Sequence, residues 1–355
     1  MTSINELMRI QLDKGASDLL LKADTPPTLR INGDLVTMDS PPLPAAAIEA
    51  SMSDILSKSQ IEEFARHKEI DISYQHPQGN RFRINVFRQK SATGMVLRSI
   101  PAQIPTLDEL GFPAALKSIV LRPRGLIVVT GPSGCGKSTT QAAFINHRNE
   151  NDKCHVVTVE DPIEFIHPNK MALVTQREVG RDTHSFANAL KFVLRQDPDV
   201  ILVGEMRDLE TISLAITAAE TGHIVVTTLH TSDAVSTVDR IIDVFPPHQQ
   251  SQIRMQLSLN LLCVVSQNLF KRADGKGRVA AHEILIATPS VRNLIREAKT
   301  HQISSILQTS QQQGMISFDA HLAQLVRRKT VTKEEAITKA LHAEAFSKEM
   351  QQVSH

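Results

Sequence analysis

Tryptophan is absent from this 355-residue chain, and tyrosine occurs once, at Tyr74. A channel for single-stranded nucleic acid needs aromatic faces on which bases stack, and there is little here to supply them. The charge balance points the same way. Thirty-nine Lys and Arg face 38 Asp and Glu, for a net charge of +1 with no basic tail, whereas a nucleic-acid binder carries a basic stripe or patch. Cysteine is scarce as well. Cys135, Cys154 and Cys263 are scattered without the spacing of a zinc site or a disulfide framework, which favours a reducing, cytoplasmic setting. No apolar run approaches the ~20 residues that span a bilayer. The start, Met1-Thr-Ser-Ile-Asn-Glu6, lacks the basic segment and apolar core of a signal peptide.

What remains is an ordinary globular composition, 41% hydrophobic and 22% charged. The chain is longer than the ~250–300 residues at which single cores stop growing, so two domains are expected. Over residues 1–100 the pattern is a small α+β domain. Ser3 and Glu6 form a capping box ahead of Ile4, Leu7, Met8 and Leu12. Strands are expected at Leu19–Lys22, Leu29–Ile31, Ile70–Tyr74, Arg81–Arg88 and Met95–Ile100, with a hairpin at Asn32-Gly33 and a helical patch over Ile48–Phe64. Residues 101–113 read as a linker, because Pro101 and Pro105 hold the chain extended.

From residue 114 to 355 short apolar strands alternate with helices, as in a doubly covered parallel sheet of RecA type. Strands are expected at Gly125–Thr130, Val156–Glu160, Val200–Gly204 and Ile224–Leu229. A helix with Leu209, Ile212, Ile216 and Ala219 on its apolar face lies between the last two, and mostly helix follows residue 245.

The most specific signal is Gly131-Pro-Ser-Gly-Cys-Gly-Lys-Ser-Thr139 after an apolar strand. This is the G-x(4)-G-K-[ST] loop, whose backbone N–H groups cradle the phosphates of ATP or GTP. Ser133, Gly134, Cys135, Gly136, Lys137, Ser138 and Thr139 are the candidate nucleotide-binding residues. Lys137 reaches the β- and γ-phosphates, and the Ser138 hydroxyl sits on Mg²⁺. A helix starting near Ser138 adds its N-terminal dipole. Asp197-Pro-Asp-Val-Ile-Leu-Val-Gly-Glu205 is a strand ending in a carboxylate, and Glu205 is the candidate Mg²⁺-side acid, acting directly or through water. Glu160, Asp161 and Glu164 crowd three carboxylates around Pro162. His223 and His230 frame the strand Ile224–Leu229; a structural hydrogen bond and γ-phosphate sensing are both open for His230.

Together these segments resemble the Walker A, Asp box, Walker B and His box of the secretion ATPase superfamily. Arg292-Asn-Leu-Ile-Arg-Glu297 is similar to the C-terminal signature of its PilT branch, the type IV pilus retraction ATPases of twitching motility. The resemblance implies a PAS-like N-terminal domain, a RecA-like ATPase domain and a homo-hexamer using ATP and Mg²⁺. It implies Glu160 as general base, Glu205 as the Mg²⁺-side carboxylate and His230 as γ-phosphate sensor. Arg81 and Arg83, alternate residues on one strand face, take the place of the arginine fingers, with Arg88 a weaker third. The implied partner is an inner-membrane pilus platform protein, with a paralogous ATPase as an optional second. The implied place is the cytoplasm, peripheral to the inner membrane at the pilus base.

Cys135 departs from the family, which usually has Ser or Gly there. A thiol beside a helix N-terminus is expected to have a lowered pKa and raised reactivity, although a small side chain turned away from the ligand fits equally. The signature also begins Ser290-Val291 instead of Ala-Ile. Alternatives are an accessory paralogue of the motor, a pilus assembly or type II secretion ATPase, and a nucleic-acid translocase. The assembly relatives carry a longer N-terminal region and a four-cysteine insertion, neither of which this sequence has.

Overall fold

The computed structural model describes residues 3–100, 103–340, 346, 347 and 350; Pro101 and Ala102 of the expected linker lie outside the described residues. These residues divide into two compact units, one within Met1–Gln103 plus Glu164–Ile166 and one within Ile104–Ile163 plus His167–His355.

The first unit opens with the helix Ile4–Asp13, capped by Ser3, whose Oγ accepts from the Glu6 N–H at 3.2 Å. Only half of the expected box forms, because the Glu6 carboxylate pairs with Arg9 at 2.5 Å. β1 (Asp18–Lys22) pairs with β2 (Thr28–Ile31), which turns at Asn32-Gly33 into β3 (Asp34–Thr37). Both turn residues have positive φ, 51° and 98°, as this tight hairpin requires. The expected single helical patch is two helices, Ala45–Ile55 and Lys58–His67. They part where Ser57 and Gln60 form a reciprocal capping box. β4 (Glu69–Gln75), β5 (Arg81–Gln89) and β6 (Ala92–Ile100) complete an antiparallel sheet of order β3-β2-β1-β6-β5-β4. Alternate residues Phe82, Ile84 and Val86 of β5 face a core shared with Leu7, Met8 and Phe64 from the helices.

The second unit is built on β7 (Gly125–Thr130), β8 (His155–Glu160), β9 (Leu173–Glu178), β10 (Val200–Val203), β11 (Ile224–Thr228), β12 (Leu261–Lys271) and β13 (Arg278–Ile286). Their order is β13-β12-β7-β11-β10-β8-β9. Every pairing is parallel except β12 with β13. β7, β10 and β11 are buried throughout, with Leu126 and Val128 in one core layer and Ile127 and Val129 in the other. This is the RecA-like sheet the βα alternation implies.

Two expectations for this unit are met only in part. Among the described residues the segment after residue 245 holds more helix than strand, but it also contains β12 and β13, which pair from Cys263↔Ile286 to Lys271↔Arg278. The short apolar run Leu261–Val265 does not let periodicity separate a strand from a buried helix, and as a strand β12 covers the open edge of β7. In the helix Leu209–Glu220, Ile212, Ile216 and Ala219 are buried, but Leu209 is 39% exposed. It occupies the first turn after the Asp208 cap.

Candidate nucleotide site

Four adjacent parallel strands, β7, β11, β10 and β8, end on the same edge of the sheet. That edge of an open α/β sheet is where ligands bind. The phosphate loop follows β7. His230 stands two residues beyond β11, Glu205 two beyond β10, and Glu160 is the last residue of β8.

The helix Lys137–Asn151 begins at Gly136, and no side chain caps its first turn. The helices after β10 and β11 are capped by Asp208 and Asp233. The helix after the phosphate loop therefore offers its first N–H groups, and the positive end of its dipole, to an external anion.

Lys137 Nζ donates to the carbonyls of Gly131 at 2.8 Å and Pro132 at 3.0 Å, and lies 3.4 Å from His230 Nδ1. A lysine ammonium only donates, so in a hydrogen bond between these two groups Nδ1 is the acceptor. His230 Nε2 in turn lies 3.3 Å from Glu205 Oε2, and Arg207 pairs with Glu205 Oε1 at 2.7 Å. Lys137, His230, Glu205 and Arg207 thus form one polar chain across the strand ends. The segment carrying His230 is tied down by Thr130, whose hydroxyl donates to the Thr231 carbonyl at 2.8 Å, and by Ser266, which donates to Ser232 O at 2.6 Å. His223, at the other end of β11, bonds the Ala218 carbonyl at 2.9 Å. It finishes the preceding helix, away from this edge.

Glu160 Oε1 accepts from the Thr158 hydroxyl at 2.7 Å and from Gln176 Nε2 at 3.1 Å, which sets the orientation of its carboxylate. Among the described residues no group of three or more His, Cys, Asp or Glu could hold a metal alone. The acidic cluster around Pro162 is therefore not such a cage, and Glu164 belongs with the first unit.

On β5 of the first unit Arg81 and Arg83 share a face. Arg81 donates to the Ser73 hydroxyl, and Arg83 lies 3.7 Å from Asp71. Arg88 is engaged elsewhere, with Glu49 and Thr93 and over the Phe64 ring.

Of the two readings of Cys135, the reactive thiol is the one corrected. Its thiol is 2% exposed and faces Gly131, where an added Cβ would come within 2.7 Å of Sγ. Burial pushes its pKa up, with the nearby Lys137 charge opposing more weakly. The dipole argument failed because desolvation of a buried thiolate outweighs it. Thr158, Gln176, Arg207 and Gln267 were not singled out from the sequence. Gln267 alone had a readable signal, within the polar triplet Ser266-Gln267-Asn268 that interrupts apolar residues on both sides.

A RecA-like parallel sheet with a phosphate loop at the end of a central strand, an uncapped helix behind it and acids on the neighbouring strand ends defines a P-loop nucleoside triphosphatase. The comparisons narrow this class. The type II/IV secretion system protein family profile matches residues 2–338, and the chain belongs to that family. It is 48% identical over 343 residues to the type IV pilus retraction ATPase PilT of Pseudomonas aeruginosa, covering 97% of this chain and 99% of that protein. It is 49% identical over 321 residues to a twitching motility protein of Neisseria gonorrhoeae, covering 90% and 86%. The crystal structure of the pilus retraction motor PilT with bound ADP superimposes with a TM-score of 0.89 at 41% identity, covering 98% of this chain and 100% of that one.

Proposed function

We propose that this chain is an ATP-hydrolysing motor that powers type IV pilus retraction in twitching motility. The observation that carries the reading is the convergence of Lys137, His230 and Glu205 on one strand edge, in a chain alike over nearly its whole length to a pilus retraction ATPase.

The phosphate loop and the uncapped helix bind the β- and γ-phosphates, which replace the loop carbonyls as partners of Lys137. Glu160, held by Thr158 and Gln176, accepts the proton of the attacking water. The bond from water oxygen to γ-phosphorus forms, the bond to the β–γ bridging oxygen breaks, and ADP carries away the charge. His230 senses the γ-phosphate and reports to Glu205 through Nε2. Arg81 and Arg83 are assigned the finger role, supplying positive charge as the bond breaks.

The Ser138 hydroxyl and the Glu205 carboxylate are hard oxygen donors, and they fit Mg²⁺, which keeps several waters and substrate oxygens in its shell. When bound, the ion neutralises phosphate charge. The assembly is a homo-hexamer working on an inner-membrane platform protein at the cytoplasmic base of the pilus, with a paralogous ATPase as an optional partner. Among the described residues no helix is long and apolar enough to cross a membrane, which is compatible with a peripheral place.

The test is genetic and enzymatic together. Cells lacking the chain are expected to keep surface pili but lose twitching, with wild type restoring it and Lys137→Ala failing. Purified chain alone is expected to turn over ATP. A chain that never turns over ATP but is still required for retraction would favour the accessory reading.

A further inference from the structure

We infer that Gln267, on the strand beside the phosphate loop, is a positioning residue that holds the loop in its phosphate-binding shape. The inference rests on the nucleotide-site reading above and assigns a role to β12 within it.

Gln267 is 2% exposed, and both ends of its amide are used. Nε2 donates to the Cys135 carbonyl in the loop at 2.7 Å, and Oε1 accepts from the Thr140 hydroxyl on the following helix at 2.8 Å. The backbone of Gln267 also meets the loop. β12 runs parallel to β7 with Ser266 beside Thr130, so the Gln267 carbonyl lies where Gly131 would place a side chain. A Cβ at Gly131 would come within 2.2 Å of that oxygen, and one at Gly136 within 3.2 Å of Gln267 Nε2. A side chain at the first glycine of the motif would therefore collide with β12. One residue therefore touches the loop near its start, at its middle, at its end and at the first turn of the helix.

The Cys135 carbonyl matters because its peptide joins Cys135 to Gly136, inside the nest of N–H groups. Holding that carbonyl toward β12 turns the other face of the peptide, its N–H, to the opposite side. A loop without this restraint must be ordered by the nucleotide at binding, which weakens affinity. Loop contacts with the phosphates exist in the ground state as well as in the transition state, so their loss raises KM and leaves kcat largely intact.

The experiment compares wild type, Gln267→Met, Gln267→Glu and Thr140→Val by steady-state ATP turnover, by direct titration with fluorescent ADP and by thermal melting. Met keeps the length of the side chain and loses both bonds. Glu can still accept from Thr140 but cannot donate to Cys135. For Gln267→Met, KM for ATP and Kd for ADP are expected to rise about tenfold, the scale of two lost net hydrogen bonds, with kcat within about twofold. Gln267→Glu should approach that loss, and Thr140→Val should show a smaller one. Unchanged KM and Kd in Gln267→Met would overturn the inference, as would a loss confined to kcat and matched by a smaller folded fraction. A wild-type chain that binds neither nucleotide would instead sink the nucleotide-site reading beneath it.

Discussion

His230 Nε2 lies 3.3 Å from Glu205 Oε2, in a ring whose Nδ1 is 3.4 Å from Lys137 Nζ. The imidazole therefore spans the gap between the phosphate-binding lysine and the Mg²⁺-side acid. In the proposed mechanism a phosphate at Lys137 would alter one side of the ring, and Glu205 would register the change on the other. His230→Ala is expected to lower kcat about 10²-fold, the scale of losing one positioned donor at a developing charge, with ADP affinity unchanged. Stopped-turnover assays beside ADP titration check it, and a normal kcat would remove His230 from the mechanism.

Arg81 and Arg83 give a second prediction. The pair Arg83–Asp71 is exposed, 37% and 53% on its two side chains, and such pairs contribute at most ~1 kcal/mol to stability. Arg83→Ala should therefore fold as wild type, and Arg81→Ala, which loses a hydroxyl partner, nearly so. Each should abolish turnover while nucleotide binding is largely kept. Normal hydrolysis in both variants would exclude the finger assignment.

The cysteines give a third. Cys135 is buried with its pKa raised by burial, and Cys263 is pushed up to about 12 for the same reason. Cys154 is only partly buried. Iodoacetamide at neutral pH should label Cys154 first and leave Cys135 and Cys263 until the chain is denatured, as peptide mass mapping would show. Cys135→Ala, which stays small beside Gly131 and buries no new polar group, should bind ATP within about threefold of wild type, since the side chain holds no nucleotide in this account.

Acid stability gives a fourth. His282 is fully buried with its ring tilted against that of Phe112, centroids 4.4 Å apart, and its backbone N–H donates to His321 Nδ1 at 2.8 Å. Burial drives the His282 pKa well below 6.5 and lowers that of His321 to about 4. The unfolded chain binds these protons first. Stability present above pH 6.5 is therefore lost as the pH falls toward 4, by up to about 1.4 kcal/mol per pH unit for each imidazole. Glu283 acts in the opposite sense. Burial raises its carboxyl pKa, so its contribution is present at low pH and fades as pH rises. His321→Asn, whose Oδ1 can accept in place of Nδ1, should flatten the pH dependence of urea unfolding between pH 6.5 and 4. An unchanged slope would contradict this.

The elements around the site were legible because central parallel strands are apolar on both faces. Val200–Val203 and Ile224–Thr228 are short, β-branched and bounded by turn signals, which favours strands. β9 was missed for the opposite reason. It is an edge strand, and Leu173-Val-Thr-Gln-Arg-Glu178 is mostly half-exposed, so it carries no strong apolar run. Spacing within a motif could place Lys137 and Glu205, but not the partners that orient them. Gln176 is 16 residues from Glu160, and Gln267 is 132 from Cys135. The parallel pairing of β8 with β9, and of β12 with the strand β7 ahead of the loop, brings each to its partner. The choice between the two readings of Cys135 was open in the sequence for the same reason, because burial is a property of the packed loop and not of the helix start.

The central claim, an ATPase whose base is Glu160 and whose sites are completed in an assembled ring, is tested most directly by ATP turnover against protein concentration for wild type and Glu160→Gln. The account predicts turnover rising more steeply than linearly in wild type and vanishing in the variant at every concentration. Linear turnover that survives Glu160→Gln would contradict it.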